Sequence, residues 1–450
     1  GAGWSISSKG RMRLDFIDVR RAYFHAEAQR DLYIDLPEGD KENGMCGKLQ
    51  KSMYGTRDAA QNWEAAYREF MEKVGFNVGQ ASPCVFYHEA RNIRCVGHGD
   101  DFTLLGHEED LDWFRKMISS RFEVKFRGRL GEGPDDVKSI RILNRIVTYH
   151  PDKLEYEADQ RHAEIIIKQM GLANSTRGIS TPGRKHTHEE IMQGQEELPP
   201  KEASLYRAMV ARANYLAQDR TDIRFAVKEL SRRMAKPRQV DIQALKRLAR
   251  YLVLYPRVSV VFEAQPNCKF LEAWSDSNWA GCVETRKSTS GGIIQIGTHM
   301  IKSWCTTQSV LALSSCEAEY YAMVKAGAQL LGIRALMRDM GIGGRIHCKL
   351  VDKNLKILTD ASAAKGVAQR LGLGQMRHIE VTTLWLQNKV RTGEILIEKV
   401  GGKCNLADAL TKYPDGEMHR MHMTNSALRV LEGRHELAPA LTEDDMETLS

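Results

Sequence analysis

The sequence predicts an α+β protein with more than one sheet, and three observations carry that prediction. Runs with the apolar alternation of half-buried strands end on aspartate, as in Met12-Arg13-Leu14-Asp15-Phe16-Ile17-Asp18. Amphipathic stretches of helical period lie between such runs, the clearest being Ala59 to Val74, closed by Gly75. In the second half, a β-β-β-α-β-α series follows two basic helical stretches. At 450 residues and 42% hydrophobic content, two or three packed domains are expected.

Composition narrows the function classes. The net charge of +7, from 65 basic and 58 acidic residues, is compatible with nucleic acid but does not establish it. Nine cysteines without a Cys-x-x-Cys argue against a zinc knuckle and against a disulfide framework, and suit a reducing compartment. No run of about 18 apolar residues exists, so no membrane partner is expected. No signal peptide is visible at Gly1-Ala2-Gly3-Trp4, where the chain opens without methionine, as a fragment or a processed product would.

Taken in order, the strand ending on Asp18 leads into Val19-Arg20-Arg21-Ala22-Tyr23, which can start a helix; the bland role for Asp18 is a helix cap. Asp31 to Leu36 reads as a strand stopped by Pro37. In the Ala59–Val74 helix, Trp63, Tyr67, Phe70 and Met71 share a face and read as core. Two apolar runs then flank His98-Gly99-Asp100-Asp101, a β-hairpin with paired carboxylates at its tip. Such a pair is commonly just a solvated turn. Adjacent like charges repel, so a cation between them is the functional alternative. Further along come a helix at 108–120, strands near 121–126, 139–149 and 153–157, and a helix at 158–170. Residues 174–200, rich in Ser, Thr, Gly, Pro, His and charge, read as a linker. Helices at 222–234 and 241–255 carry Arg224, Lys228, Arg232, Arg233, Lys246, Arg247 and Arg250, a solvated face by default and a phosphate-tracking face if the chain binds nucleic acid. A strand at 258–263 and a turn at Gln265-Pro266-Asn267 mark a boundary.

Beyond it, four acids stand at element ends: Asp276, Glu317, Asp360 and Asp408. Each alone can be a cap or an ordinary first-turn acid. Converging, four carboxylates require metal, and two divalent ions among them make a phosphodiester hydrolase. Glu317 and Glu319 lie about 200° apart on one helix, so both cannot face the same site. The tail, 414–450, is polar with an acidic end at 443–447; a helix near 426–432 and disorder after it are expected.

The ordered series Asp18-Val19, Ala22-Tyr23, Met53-Tyr54-Gly55, Ser82-Pro83-Cys84-Val85-Phe86 and Gly99-Asp100-Asp101 resembles the reverse transcriptase of Ty1/copia retrotransposons. The stretch from Leu205-Tyr206-Arg207-Ala208 to Leu230-Ser231, with Ala244 to Leu252, is similar to that family's thumb and connection. Ser275-Asp276, Trp279-Ala280-Gly281, Ser288-Thr289-Ser290-Gly291, Glu317-Ala318-Glu319-Tyr320 and Leu406 to Lys412 look like its ribonuclease H domain. The resemblance covers roughly residues 11–412. It implies an α+β chain with palm and thumb/connection subdomains, fingers largely missing, then a ribonuclease H-like α/β domain with a mixed sheet. The implied boundaries are palm 1–173, linker 174–202, thumb/connection 203–264, ribonuclease H-like domain 265–413 and tail 414–450.

The resemblance further implies RNA-directed DNA synthesis and cleavage of RNA in RNA–DNA hybrids, with two Mg²⁺ (or Mn²⁺) per active site. Asp18 and Asp100 would be the principal polymerase metal ligands and Asp101 a supporting one. Asp276, Glu317, Asp360 and Asp408 would hold the nuclease ions, Glu317 being preferred over Glu319. Tyr23 would lie beneath the incoming sugar, with core packing as its alternative. Arg57 would serve the nucleotide side and partner Asp58, which stands where the family usually has Gln. His378 would be a substrate-side or a structural residue. The implied partners are RNA template, DNA primer, RNA–DNA hybrid, dNTPs and other products of the retroelement polyprotein. The implied location is intracellular, in a cytoplasmic particle, with the nucleus as a further address. Departures from the family pattern, His98-Gly99 before the two Asp, Asp58, and a start almost at the first catalytic strand, leave two alternatives open. One is an inactive relic that binds nucleic acid nonspecifically; the other is a ribonuclease H joined to a dead palm.

Overall fold

The computed structural model describes residues 10–172, 177–265, 268–342, 354–374 and 376–442. The start at 1–4, the beginning of the expected linker at 174–176, the Pro266-Asn267 turn and the acidic end at 443–447 lie outside the described residues. The chain divides into two compact units, Gly1–Lys138 with Gly332–Cys348, and Ser139–Leu331 with Lys349–Ser450. The α+β class holds in both.

The first unit is built on a six-stranded antiparallel sheet. Its strand order is Asn77–Val78, Val85–His88, Ile93–His98, Asp101–Gly106, Arg13–Val19 and Val124–Leu130. The Ala59–Lys73 helix buries Trp63, Tyr67, Phe70 and Met71 in a core with Phe102, Leu104, Phe114 and Ile118. Phe114 and Ile118 come from a second helix, Glu108–Ser119. The segment after Asp18 forms only a 3-10 turn, Ala22–His25, because Arg21 adopts a left-handed conformation (φ 52°) and breaks helical continuity. The strand expected at 31–36 is reduced to Tyr33–Ile34, with Pro37 ending it.

The second unit has a helical group and two sheets. Helices Gln160–Gln169, Pro200–Leu216, Arg224–Ser231 and Gln239–Leu254 share a core that includes Ile166, Tyr206, Val210, Leu245, Leu248 and Tyr251. The strands Ser139–Ile142, Arg145–Tyr149 and Lys153–Glu157, grouped with the palm in the sequence reading, pair instead in a sheet completed by Val258–Glu263 and Leu428–Val430. The tail therefore departs from expectation. A helix forms at Gly416–Asn425, capped by Asp415, and a strand stands where the helix near 426–432 was expected. His419, His422, Met423 and Leu428 are buried, which explains why this polar segment is ordered. The 174–200 stretch contains a helix, His188–Gln193, started by a Thr187/Glu190 capping box.

The third sheet follows the β-β-β-α-β-α pattern. Its order is His299–Thr307, Thr289–Ile296, Leu271–Asn278, Leu355–Thr359 and Ile395–Lys399. The first three strands are antiparallel; Leu355–Thr359 runs parallel to both of its neighbours. The Ser315–Asp339 helix joins the antiparallel half to the parallel half.

Candidate active sites

In the first unit, strand register brings the predicted acids together. Asp18 pairs across the ladder with Asp101, and Val19 N donates to the Asp100 carbonyl at 2.9 Å. The hairpin tip turns at Gly99, whose positive φ of 63° suits a residue without Cβ. Trp63 is buried, as its place on the apolar face predicts, yet its indole Nε1 also donates to the Gly99 carbonyl at 2.8 Å. The helix thus fixes the turn that carries the carboxylates. Asp101 is tied to Arg127 at 3.1 Å. Burial raises the Asp101 pKa, Arg127 opposes that, and the nearby Asp100 and Asp18 add to it.

Around this hairpin, Tyr23 is half-buried with its ring 4.4 Å from that of Tyr54. Arg57 is exposed and is not the partner of Asp58; that role falls to Arg30, at 2.9 Å. Asp58 ends a turn at the foot of the Ala59–Lys73 helix, and Arg30 reaches it from a segment that sequence spacing could not bring near.

In the second unit, Asp276, Glu319 and Asp360 offer oxygens that all lie within 4.8 Å of one another, the one such group of three or more His, Cys, Asp or Glu among the described residues. Asp276 faces Gly291 across the ladder, where an added Cβ would stand 2.7 Å from Thr411 Cγ2. The Thr411 hydroxyl donates to the Asp276 carboxylate. Ser277 N donates to Glu319 Oε1 at 3.2 Å. Asp360 follows its strand directly, and Asn405 Nδ2 lies 3.0 Å from the Ser275 carbonyl and 3.5 Å from Asp360. Asp408, on the 3-10 turn Leu406–Leu410, is paired with Lys412 at 2.6 Å.

Burial, reinforced by Asp408, pushes Asp276 up to about 7. Burial, with Asp276 and Asp360 nearby, pushes Glu319 up to about 9. Asp408 is raised as well, chiefly by burial, against the pull of Lys412. Glu319 Oε2 and Asp408 Oδ1 are buried without a hydrogen-bond partner. Hard oxygens with raised pKa values and unused lone pairs fit a divalent cation of the Mg²⁺ kind.

The sequence preference for Glu317 is corrected here. Glu317 is buried, but its Oε2 accepts from Leu313 N at 2.9 Å and sits 2.8 Å from His378 Nε2. It anchors the loop before the helix and a half-exposed histidine, and it is not part of the three-carboxylate group. The sequence held the right signal. Glu319, Met323, Ala326 and Leu330 form one helical stripe, and the last three are fully buried.

The basic helices also differ from a phosphate-tracking face. Lys228 binds Glu229 and Thr289, Arg232 binds Glu229 and Cys282, and Arg233 binds Glu284. Arg224 and Arg250 donate to backbone carbonyls, and Arg247 to Thr181. Six of the seven cations are engaged inside their own unit, which spacing alone could not reveal.

A family model described as reverse transcriptase (RNA-dependent DNA polymerase) matches residues 4–133. The retrovirus-related Pol polyprotein from transposon RE1 of Arabidopsis thaliana is 27% identical over 403 residues, 88% of this chain and 26% of that protein. The Ty1-DR1 Gag-Pol polyprotein of Saccharomyces cerevisiae is 22% identical over 412 residues, 88% of this chain and 22% of that protein. An uncharacterized mitochondrial protein of Arabidopsis thaliana is 30% identical over 234 residues, 51% of this chain and 90% of that protein. The chain spans about a quarter of the length of the Pol polyproteins it matches.

Proposed function

The chain belongs to the Ty1/copia retrotransposon reverse transcriptase family, and from that premise we propose that it joins a polymerase palm and thumb to a ribonuclease H-like nuclease. The substrates on this reading are an RNA template with a DNA primer, dNTPs, and the RNA strand of RNA–DNA hybrids. The observation that carries the nuclease half is the convergence of Asp276, Glu319 and Asp360 on one point, with Asp408 beside them.

In the nuclease, Asp276, Glu319, Asp360 and Asp408 would hold divalent ions, which supply positive charge to phosphate oxygens and lower the pKa of water. The residues around them set the geometry. Thr411 orients Asp276, Asn405 ties Asp360 to the Asp276 strand, and Lys412 balances Asp408. The reaction joins the oxygen of water to phosphorus and breaks the bond to the ribose 3′ oxygen. That oxygen takes a proton, so the cut ends are a 5′-phosphate and a 3′-hydroxyl. In the polymerase, Asp18 and Asp100 would hold the ions, with Asp101 restrained by Arg127. Tyr23 packed on Tyr54 would form the wall beneath the sugar.

A second reading, nuclease without polymerase, is favoured by one observation. Among the described residues, Asp18, Asp100 and Asp101 do not offer three oxygens within 4.8 Å of one another, as Asp276, Glu319 and Asp360 do. A labelled DNA primer on a longer labelled RNA template, with Mg²⁺ and dNTPs, separates the readings. Extension lost in Asp100→Asn and RNA cleavage lost in Asp276→Asn support the two-activity reading. Cleavage without extension supports the second. Neither activity in a folded chain overturns both.

A further inference from the structure

The third sheet carries an apolar surface that its own fold leaves uncovered. Leu311 and Leu313 are 52% and 68% exposed, and Trp279 is 50% exposed. They belong to two loops, one after the Leu271–Asn278 strand and one before the Ser315–Asp339 helix. Hydrogen bonds fix both loops. Trp279 Nε1 donates to the Ala312 carbonyl at 2.9 Å and joins them directly. Buried Ser288 joins them again: its hydroxyl accepts from Ala280 N at 3.0 Å and its carbonyl from Gln308 N at 2.8 Å. At the far end, Leu313 N donates to Glu317 Oε2. A single exposed leucine is ordinary, but three large apolar side chains on two bonded loops mark a binding surface.

Two observations say what covers it. It is continuous with the carboxylate group: Trp279 follows Asp276 by three residues, Ser277 between them donates its N–H to Glu319, and Glu317, which fixes Leu313, precedes Glu319 on the same helix. Its border is also cationic. Arg286 is exposed and Lys287 half-buried just before Ser288, and neither has an ion-pair partner among the described residues. We propose that Trp279, Leu311 and Leu313 pack against the sugars of an RNA–DNA hybrid whose phosphates are taken by Arg286 and Lys287. The inference rests on the nuclease reading above and names how that site holds its substrate. An RNA-containing duplex presents its sugars across a wide, shallow minor groove, which a broad apolar surface can enter. Because the loops are already fixed, binding orders little further chain. Contacts to sugar and phosphate carry no sequence information, so hybrids of different sequence bind alike.

The test is fluorescence anisotropy of a labelled RNA–DNA hybrid with the full chain in chelator, so that nothing is cut, over a series of salt concentrations. Trp279→Ala, and Leu311→Ser combined with Leu313→Ser, should each weaken binding by about fivefold or more. Trp279→Phe keeps a flat ring but loses the bond to Ala312, and should weaken binding by less than about threefold. Arg286 holds a left-handed backbone (φ 55°) that asparagine tolerates, so Arg286→Asn removes the charge without new strain. It should lower the slope of log affinity against log salt by about one, whereas Trp279→Ala leaves that slope unchanged. Binding unchanged in both Trp279→Ala and the double leucine variant overturns the proposal. So does Trp279→Phe binding as weakly as Trp279→Ala while the double variant binds normally, because the indole bond and not the surface would then matter. Self-association of the wild type that the double variant abolishes, with hybrid binding intact, overturns it in favour of a protein interface. Hybrid cleavage in Mg²⁺ is followed in parallel. Cleavage by a chain whose binding ignores these substitutions overturns the platform and leaves the nuclease reading standing. Binding that obeys them in a chain that cuts no hybrid supports the platform and overturns the nuclease reading.

Discussion

Asp276→Asn should stabilise the protein when divalent cations are removed. In the fold, burial and Asp408 push the Asp276 carboxyl from 3.8 to about 7. A carboxyl whose folded pKa is raised binds its proton more tightly in the fold than when unfolded. Its cost is therefore absent below the unfolded value, grows as pH rises, and is complete once pH passes the folded value. A shift of this size corresponds to about 4 kcal/mol at 1.36 kcal/mol per unit. Glu319 shares the same repulsion, so the two costs are not summed. Asparagine keeps an oxygen for the Thr411 hydroxyl and removes the charge. The assay is denaturant unfolding of the wild type and the variant in chelator, near pH 8 and near pH 4. Near pH 8 the variant should be more stable by up to about 4 kcal/mol, and near pH 4 the two should converge. Added Mg²⁺ should stabilise the wild type and have little effect on the variant. A variant destabilised equally at both pH values, with no Mg²⁺ effect on the wild type, would refute the electrostatic account.

Other outcomes follow from the same geometry. Burial holds His422 down at about 4, against an ordinary 6.5, and lowers His419 too. The unfolded chain takes up the proton first, so stability present above pH 6.5 is lost as pH falls toward 4, by up to about 3 kcal/mol from His422 alone. Unfolding midpoints of wild type and His422→Phe across that window check this; equal pH slopes would contradict it. Trp63→Phe removes the bond to the Gly99 carbonyl, should cost about 1 kcal/mol, and should reduce primer extension without touching hybrid cleavage. Arg233→Ala should change stability by less than about 1 kcal/mol and leave the salt dependence of hybrid binding unchanged, because Arg233 already faces Glu284. A shallower salt slope would return that helix to the phosphate-tracking role.

Much of the site was legible because chemistry and period coincide. Asp18 stands one residue and Asp276 two residues before the ends of their strands, Asp360 directly follows its own, and the Gly99-Asp100 turn follows from its flanking runs. Where two acids competed, periodicity would have decided. Glu319 continues the stripe of Met323, Ala326 and Leu330, whereas Glu317 does not. What was not legible depends on distant chain. Arg30 reaching Asp58, Glu284 reaching Arg233, and Leu428–Val430 joining Val258–Glu263 are pairings across dozens to hundreds of residues. The tail looked disordered because its apolar residues are few. Its order comes from buried His419 and His422, which composition counts as polar. His419 is held by the Tyr251 hydroxyl at 2.9 Å, a contact no local pattern announces.

The most direct measurement compares RNA cleavage in a preformed RNA–DNA hybrid by wild type, Glu319→Gln and Glu317→Gln under the same Mg²⁺. Glutamine at 317 keeps an oxygen for Leu313 N and His378, whereas glutamine at 319 removes a charge from the three-carboxylate group. The account predicts a loss of at least about 100-fold for Glu319→Gln and less than about tenfold for Glu317→Gln. Cleavage abolished by Glu317→Gln and retained by Glu319→Gln would contradict it.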